Sequence, residues 1–259
     1  MYIKEITEVD KLIFSENPPK KPNYKSAKKM FGDEWKDLLL PEPPKNSSRQ
    51  TMDELQEIAH RQSMLSEFDK KVYKNTDKDT AYYVKQYLDE QDLEWDEDVA
   101  EDIMDRVKHI GRHYKNHFNR PRPYQIAEKL GVEIDDMETT TVNSPAYPSN
   151  HALQARMVAL YYGDKFPAHK KYLLRAADMS AEGRVNAGVH FPSDKQVAYL
   201  IADTLFDNHF KKDMVEDAPV NSTGSAVATD QPLVRSRSKY TRRNKKDAEG
   251  IYRHLRTYF

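Results

Sequence analysis

The chain has no cysteine among its 259 residues. Disulfide bonds, thiolate catalysis and zinc–thiolate sites are therefore excluded. It also lacks an apolar run of the ~18 residues that a transmembrane helix requires, and its first eight residues do not form the apolar core of a secretory signal. Since 38% of the residues are hydrophobic and 32% are charged, we predict a soluble protein without a membrane span, and we expect it to be cytoplasmic.

The chain also lacks a large net charge. The 41 basic and 42 acidic residues leave a formal net charge of -1, so no global field attracts the chain to nucleic acid or to anionic membranes. The one local exception is a basic run over residues 235–246, which contains Tyr240. Its composition favours a solvated tail over a nucleic-acid contact.

The arrangement of apolar residues predicts an all-α fold. Helical spacing recurs through the middle of the chain, and we find no strand pattern and no internal repeat. We predict an extended Pro/Lys-rich arm over 1–50 with one short helix over 27–40, a helical domain over 51–211, and a tail over 212–259. The tail comprises a linker, the basic run and a short C-terminal helix, which either docks back or mediates assembly into a homo-oligomer.

Within the domain, local signals predict the helix boundaries. Thr51 and Glu54 have the spacing of a capping box, and apolar residues follow at helical spacing as far as Val72. Further helices are predicted over 80–89, 96–118, 124–130, 149–162, 167–187 and 192–210. Gly131 and Gly163 are predicted to end two of them. The inward stripe of the last helix is predicted to contain Val197, Leu200, Ile201, Leu205 and Phe206.

The most informative segment contains Arg184, His190 and Asp194 at short fixed spacings, with Pro192 between the last two. Proline is favoured at the first position of a helix, so a helix is predicted to begin at Pro192. Asp194 then lies in its first turn, close enough to bind one ring nitrogen of His190. A carboxylate-oriented imidazole beside an arginine is suited to attack on a phosphate.

Two upstream segments supply partners for this chemistry. In the first, Lys115 is followed after six residues by Arg122-Pro123; Arg120-Pro121 offers an alternative arginine, but the spacing from Lys115 favours Arg122. The second reads Pro148-Ser149-Asn150-His151 and is predicted to begin a helix, whose free backbone N–H groups attract anions. Ser149 either caps this helix or donates its hydroxyl to a phosphate.

Together, the three segments resemble the tripartite signature of the type 2 phosphatidic acid phosphatase family, which shares its fold with bacterial acid phosphatases and vanadium haloperoxidases. The family signature reads Lys-x6-Arg-Pro, then Pro-Ser-Gly-His, then Ser-Arg-x5-His-x3-Asp. This chain has Asn150 in place of the glycine and Gly183 in place of the second serine. The resemblance covers about residues 100–210 and implies a helical bundle of the acid phosphatase/vanadium haloperoxidase type.

The resemblance also implies roles for the residues. His190 is the expected nucleophile, Asp194 orients it, and His151 is the expected general acid. The expected phosphate-binding residues are Lys115, Arg122, Ser149, Asn150 and Arg184. We expect no metal or cofactor, because three side-chain cations can stabilise a transferring phosphoryl group. A carboxylate partner raises the pKa of an imidazole, so we expect Asp194 to make His190 more basic.

We therefore predict a soluble phosphatase that hydrolyses phosphomonoesters through a phosphohistidine, with nucleotide or isoprenoid pyrophosphates as further candidate substrates. Its expected partner is a phosphorylated small molecule. Two alternatives stay open on sequence alone: a vanadate-dependent haloperoxidase on the same scaffold, and a non-catalytic phosphate-binding or scaffold protein. A row of histidines at 109, 113 and 117 lacks the acidic partners of a recognised metal-binding pattern, and we predict no metal there.

Overall fold

The computed structural model describes residues 8–14, 20–135, 137, 139 and 141–210. All regular secondary structure in these residues is helical, which confirms the predicted all-α fold. The predicted tail over 212–259, with its linker, basic run and closing helix, lies outside the described residues. No helix in the described part of the chain is both long enough and apolar enough to cross a bilayer.

The helices follow one another with short connections, apart from the long segments that precede α2 and α7. Their bounds are α1 Tyr24–Phe31, α2 Arg49–Ser63, α3 Glu67–Lys78, α4 Tyr82–Glu90, α5 Glu97–Phe118, α6 Pro123–Ile126, α7 Asn150–Lys165, α8 Lys170–Asn186 and α9 Pro192–His209. Short 3-10 helices cover Glu34–Asp37, Glu128–Leu130 and Pro167–His169.

Helix α7 lies at the centre of the domain and packs against α5, α8 and α9. Apolar residues surround it instead of forming one stripe, as expected for a helix enclosed by others. Ala152, Ala155 and Ala159 are fully buried, and their small side chains allow the neighbouring helices to approach closely. The N-terminus of this central helix therefore opens inside the domain, among the ends of its neighbours.

Three local features bring the ends of these helices together. Helix α5 ends at Asn119, whose left-handed backbone (φ 49°) turns the chain toward Arg120 and Arg122. Pro192 occupies the first position of α9, as the sequence predicted. The backbone N–H of Ser149 donates to the carbonyl oxygen of Asp194 at 3.0 Å, so the start of α7 is bonded to the first turn of α9.

The predicted capping box at the start of α2 is wrong. The N-cap is Ser48, whose Oγ accepts from the backbone N–H of Thr51 at 3.2 Å. Glu54 is buried on the inner face of α2 and contacts residues far away in the sequence. The apolar spacing that continues to Val72 also spans two helices, because Ser66 caps a new helix, α3.

Two details of the predicted α7 and α9 also differ. Gly163 does not end α7, which continues to Lys165; a Cβ at Gly163 would lie 2.8 Å from Cγ of Lys170, so the glycine permits close packing within a helix. Leu200, predicted to face inward, is 45% exposed, whereas Val197, Ile201, Leu205 and Phe206 are buried.

The described part of the predicted N-terminal arm packs on the domain. Helix α1 lies against α5, and Phe31 and Trp35 are buried. Two members of the histidine row serve this contact: Nδ1 of His109 accepts from the backbone N–H of Asn23 at 3.1 Å, and the ring of His113 meets that of Trp35 edge-on at 5.3 Å. The domain boundaries at 50 and 211 stay predictions.

Replacing Phe31 by alanine tests whether α1 is part of the cooperative domain. Because Phe31 is completely buried, we expect Phe31→Ala to lower the free energy of unfolding by about 3–5 kcal/mol, as measured by urea denaturation. Leu39→Ala is the control, since Leu39 is 99% exposed and its loss should change stability by less than about 0.5 kcal/mol. Equal, small effects would contradict the packing of α1.

Candidate active site

A cleft of about 720 Å³ runs along α5 and opens at the ends of α3, α7 and α8. Six of the eight residues predicted from sequence line it: Lys115, Arg122, Asn150, His151, Arg184 and His190. The other two lie behind this lining. Asp194 contacts His190, and Ser149 caps α7.

His190 is held by one partner at each ring nitrogen. Its Nδ1 lies 3.1 Å from Oδ2 of Asp194, and its Nε2 lies 3.0 Å from Nη1 of Arg122. A guanidinium can only donate and a carboxylate can only accept. The proton is therefore on Nδ1, which donates to Asp194, and Nε2 carries the lone pair on the side of the cleft.

Asp194 is completely buried, and its carboxylate is fixed by three donors. Oδ2 accepts from the backbone N–H of Phe191 at 2.8 Å as well as from His190, and Oδ1 accepts from Nη1 of Arg120 at 2.8 Å. The orientation predicted from the four-residue spacing is therefore present. Arg120, however, shares the charge of the carboxylate with His190.

The expectation that Asp194 makes His190 more basic is not supported. Burial lowers the pKa of His190 well below its usual value, and the positive charges of Arg122, Lys115 and Arg184 lower it further. With an empty cleft, His190 is therefore the neutral imidazole that nucleophilic attack requires.

Lys115 and Arg122 are buried among backbone carbonyl groups. Nζ of Lys115 donates to the carbonyl oxygens of Pro145 and, at 3.1 Å, Ala146. Nε of Arg122 donates to the carbonyl oxygen of Ser144 at 2.9 Å. Burial, together with the nearby Arg122, lowers the pKa of Lys115 well below its usual value. An anion in the cleft would oppose this effect.

Arg184 has a buried donor without a hydrogen-bond partner among the described residues. Nη1 pairs with Oδ1 of Asp77 at 2.5 Å, and Nη2 donates to Oγ1 of Thr141 at 2.9 Å and of Thr139 at 3.3 Å. Its Nε is buried without a hydrogen-bond partner, although Arg184 lines the cleft. An unpaired buried donor is costly, and an oxyanion bound in the cleft could satisfy it.

At the start of α7, Ser149 acts as the helix cap. Its Oγ accepts from the backbone N–H of Ala152 at 3.4 Å, and its hydroxyl proton is still able to donate to a phosphate, so the second role stays a prediction. Asn150, which replaces the family's glycine, packs its side chain against α5, where a Cβ at Gly111 would lie 1.8 Å from Oδ1. The glycine in α5 thus makes room for the asparagine.

His151 lies in the first turn of α7 and lines the cleft opposite Arg184 and Asp77. Burial lowers the pKa of His151 well below its usual value, and Arg184 and Arg122 lower it further, while Asp77 raises it. The imidazole is therefore neutral in the empty cleft. Negative charge brought by a ligand would favour its protonated form.

Sequence reasoning missed three charged residues that organise this site. Asp77 pairs with Arg184, while Glu54 and Arg120 form a buried cluster with Asp194. The sequence drew attention only to Arg120, because Arg120-Pro121 resembles the Arg-Pro pair of the Lys-x6-Arg-Pro motif. Among the described residues, no group of three or more His, Asp or Glu side chains is arranged to hold a metal ion.

Comparison with known proteins yields one curated relative and several structural matches. An acid phosphatase of Zymomonas mobilis subsp. mobilis is 30% identical over 110 residues, which cover 40% of this chain and 41% of that protein. The chain thus aligns with about two fifths of its relative's length. No family model matches the sequence.

One solved structure that resembles the chain is a transmembrane PAP2-type phosphatidylglycerolphosphate phosphatase from Bacillus subtilis, with a TM-score of 0.36 and 18% identity over 67% of this chain and 81% of that one. That similarity is too low to support an argument. The three motifs, which meet in one cleft, and the identity to the acid phosphatase point to the same group. Both observations support the resemblance of the chain to the superfamily of acid phosphatases and type 2 phosphatidic acid phosphatases.

Proposed function

We propose that the protein is a phosphatase that hydrolyses phosphomonoesters through a phosphohistidine formed at Nε2 of His190. The observation that carries this proposal is the hydrogen-bond polarity of His190: Nδ1 faces the carboxylate of Asp194 at 3.1 Å, and Nε2 faces Arg122 at 3.0 Å. The ring therefore presents a lone pair, and not a proton, to an anion-binding cleft.

In the first step, the lone pair of Nε2 attacks phosphorus and the bond from phosphorus to the ester oxygen breaks. His151 gives its proton to the departing oxygen. The imidazole of His190 then carries a positive charge, which the Nδ1–H bond to Asp194 stabilises. In the second step, His151 takes a proton from water, the resulting hydroxide attacks phosphorus, the N–P bond breaks, and inorganic phosphate leaves.

The charges that line the cleft support this chemistry. Phosphoryl transfer depends mainly on positioning and on stabilising charge at the equatorial oxygens, and preorganised donors in a site that excludes water do this best. Lys115, Arg122 and Arg184 are each no more than 2% exposed. Arg184 also has a buried Nε without a hydrogen-bond partner among the described residues.

The covalent intermediate can be tested with a labelled aryl phosphate. We expect His190→Ala to abolish turnover, while His151→Asn still transfers phosphate to the protein but turns over about 10²–10⁴-fold more slowly, because it lacks the acid–base group. Rapid quenching should then detect an acid-labile phosphoryl label in His151→Asn and none in His190→Ala. His60→Ala, at an exposed position on α2, is the control. A label in His190→Ala would refute the assignment.

Anion binding should be coupled to protonation of His151. Its pKa is low in the empty cleft, and a dianion raises it, so binding takes up a proton and affinity must increase as pH falls. Sulfate remains a dianion from pH 5 to 8, and calorimetry should show its affinity weakening by up to about tenfold per pH unit as pH rises. His151→Asn should reduce that slope. Since Lys115 and His190 are present in both proteins, the difference between the two slopes reports the protonation of His151. Identical slopes would contradict the coupling.

Arg112 offers a test of substrate class. It lies one helical turn before Lys115 and lines the same cleft, and within the described residues its guanidinium forms no ion pair or hydrogen bond. We expect it to contact the second phosphate of a diphosphate substrate. Arg112→Gln should then reduce kcat/KM for a nucleoside diphosphate about tenfold, or ~1.4 kcal/mol, and leave that for an aryl phosphate unchanged.

The control for this comparison is Arg49→Gln, since the Arg49 side chain is 94% exposed on α2. If Arg112→Gln reduces kcat/KM equally for both substrates, Arg112 does not select between them. The ratio of the two constants is the quantity to measure, because it cancels differences in the active fraction of each preparation.

A further inference from the structure

A cluster of buried charges lies behind His190, on the side away from the cleft. Its members are Glu54 of α2, Arg120 of the turn after α5, and Ser193 and Asp194 of α9. Each is at most 7% exposed. Glu54, Arg120 and Asp194 do not line the cleft, so they do not touch a substrate bound there.

Arg120 connects the two carboxylates of this cluster. Nη1 donates to Oδ1 of Asp194 at 2.8 Å and to Oγ of Ser193 at 2.8 Å, and Nη2 donates to Oε2 of Glu54 at 3.1 Å. The guanidinium also lies 3.8 Å from the centre of the Phe191 ring. Its position is therefore fixed from three sides.

Glu54 additionally holds the first turn of α9. Oε1 accepts from the backbone N–H of Ser193 at 2.7 Å, and Oε2 accepts from Oγ of the same residue at 3.0 Å. A carboxylate at a helix N-terminus is favourable because it satisfies free N–H groups. Asp194, which contacts His190, lies one residue further along this turn.

The charges of the cluster decide how much of the Asp194 charge acts on His190. Arg120 alone would neutralise Asp194 and leave the imidazole with a neutral partner. With Glu54 on its other side, Arg120 is shared between two carboxylates, and the trio carries a net charge of about -1 when both acids are ionised. In a buried site, such a charge is only weakly screened.

We propose that Glu54 and Arg120 are positioning residues that act on His190 through Asp194: Arg120 orients the Asp194 carboxylate, and Glu54 offsets the charge of Arg120 so that Asp194 stabilises the positive imidazole of the phosphohistidine. This inference rests on the proposed function. A positive charge develops on the ring when Nε2 bonds to phosphorus, and the net negative cluster opposes it from the Nδ1 side.

Charge counting distinguishes this role from simple packing. Glu54→Gln leaves the trio neutral, whereas the double variant Glu54→Gln/Arg120→Met leaves Asp194 alone and restores a net charge of about -1. We expect Glu54→Gln to lower kcat about tenfold with little change in KM. The double variant should recover most of that loss, although it lacks more of the native contacts.

Two further variants separate charge from shape. Glu54→Asp keeps the charge and should retain kcat within about threefold of the wild type. Ser193→Ala removes the hydroxyl group that contacts Glu54 but no charge, so its kcat should also stay within about threefold. Glu57→Gln, on the exposed side of the same helix, is the matched control. If Glu54→Gln does not fold, the double variant is compared with the wild type, because replacing a buried ion pair by neutral groups is often tolerated; a kcat tenfold or more below the wild type would then overturn the charge effect.

A readout that does not depend on turnover separates this inference from the proposed function. In the sulfate-bound protein, ¹⁵N resonances of the His190 ring report its protonation. We expect Glu54→Gln to reduce its proton affinity about tenfold and the double variant to restore it. The other charged groups facing the ring, Lys115, Arg122, Arg184 and His151, are the same in all variants.

The two sets of results have distinct meanings. A double variant that is as impaired as Glu54→Gln, or worse, in both kcat and the ring titration would overturn the proposed charge effect and leave a structural role. A wild type without turnover would count against the phosphatase assignment. The ring titration would then still show whether Glu54 acts on His190.

Discussion

The site depends on burying four cationic side chains within one small helical domain. Lys115, Arg120, Arg122 and Arg184 are each no more than 2% exposed, and isolated buried charges are strongly unfavourable. Two are paired with carboxylates, Arg184 with Asp77 and Arg120 with Glu54 and Asp194. The partners of Lys115 are backbone carbonyl oxygens, which oppose its charge only in part.

This unequal compensation explains the state of the two histidines. Around the cleft, positive charge exceeds negative charge, so both imidazoles are neutral when the cleft is empty. In the proposed mechanism, a phosphate dianion would supply the missing negative charge and favour the protonated form of His151, which a general acid requires. Behind His190 the balance is reversed, because two carboxylates share one arginine. The ring thus lies between an electropositive cleft and an electronegative support.

Features set by nearby residues were predictable from sequence, and features set by distant ones were not. The cap at Ser149 and the pairing of His190 with Asp194 depend on residues three or four positions apart. Glu54 instead binds Ser193, 139 positions away, and its spacing from Thr51 imitated a capping box. Likewise, the sequence did not predict that burial and the charges of Arg122 and Lys115, which lie about 70 positions from His190, lower the pKa of His190.

The hydrogen bond from the backbone N–H of Ser149 to the carbonyl oxygen of Asp194 joins the start of α7, which carries the proposed acid His151, directly to the first turn of α9, which follows the proposed nucleophile His190. The geometry between the two imidazoles consequently does not depend on the connection between Leu130 and Ser149. That connection contributes Asn143 and Ser144 to the cleft wall. Substitutions at Asn143 would therefore change which ligands fit the cleft, whereas the carbonyl groups of residues 144–146 hold Lys115 and Arg122 in place.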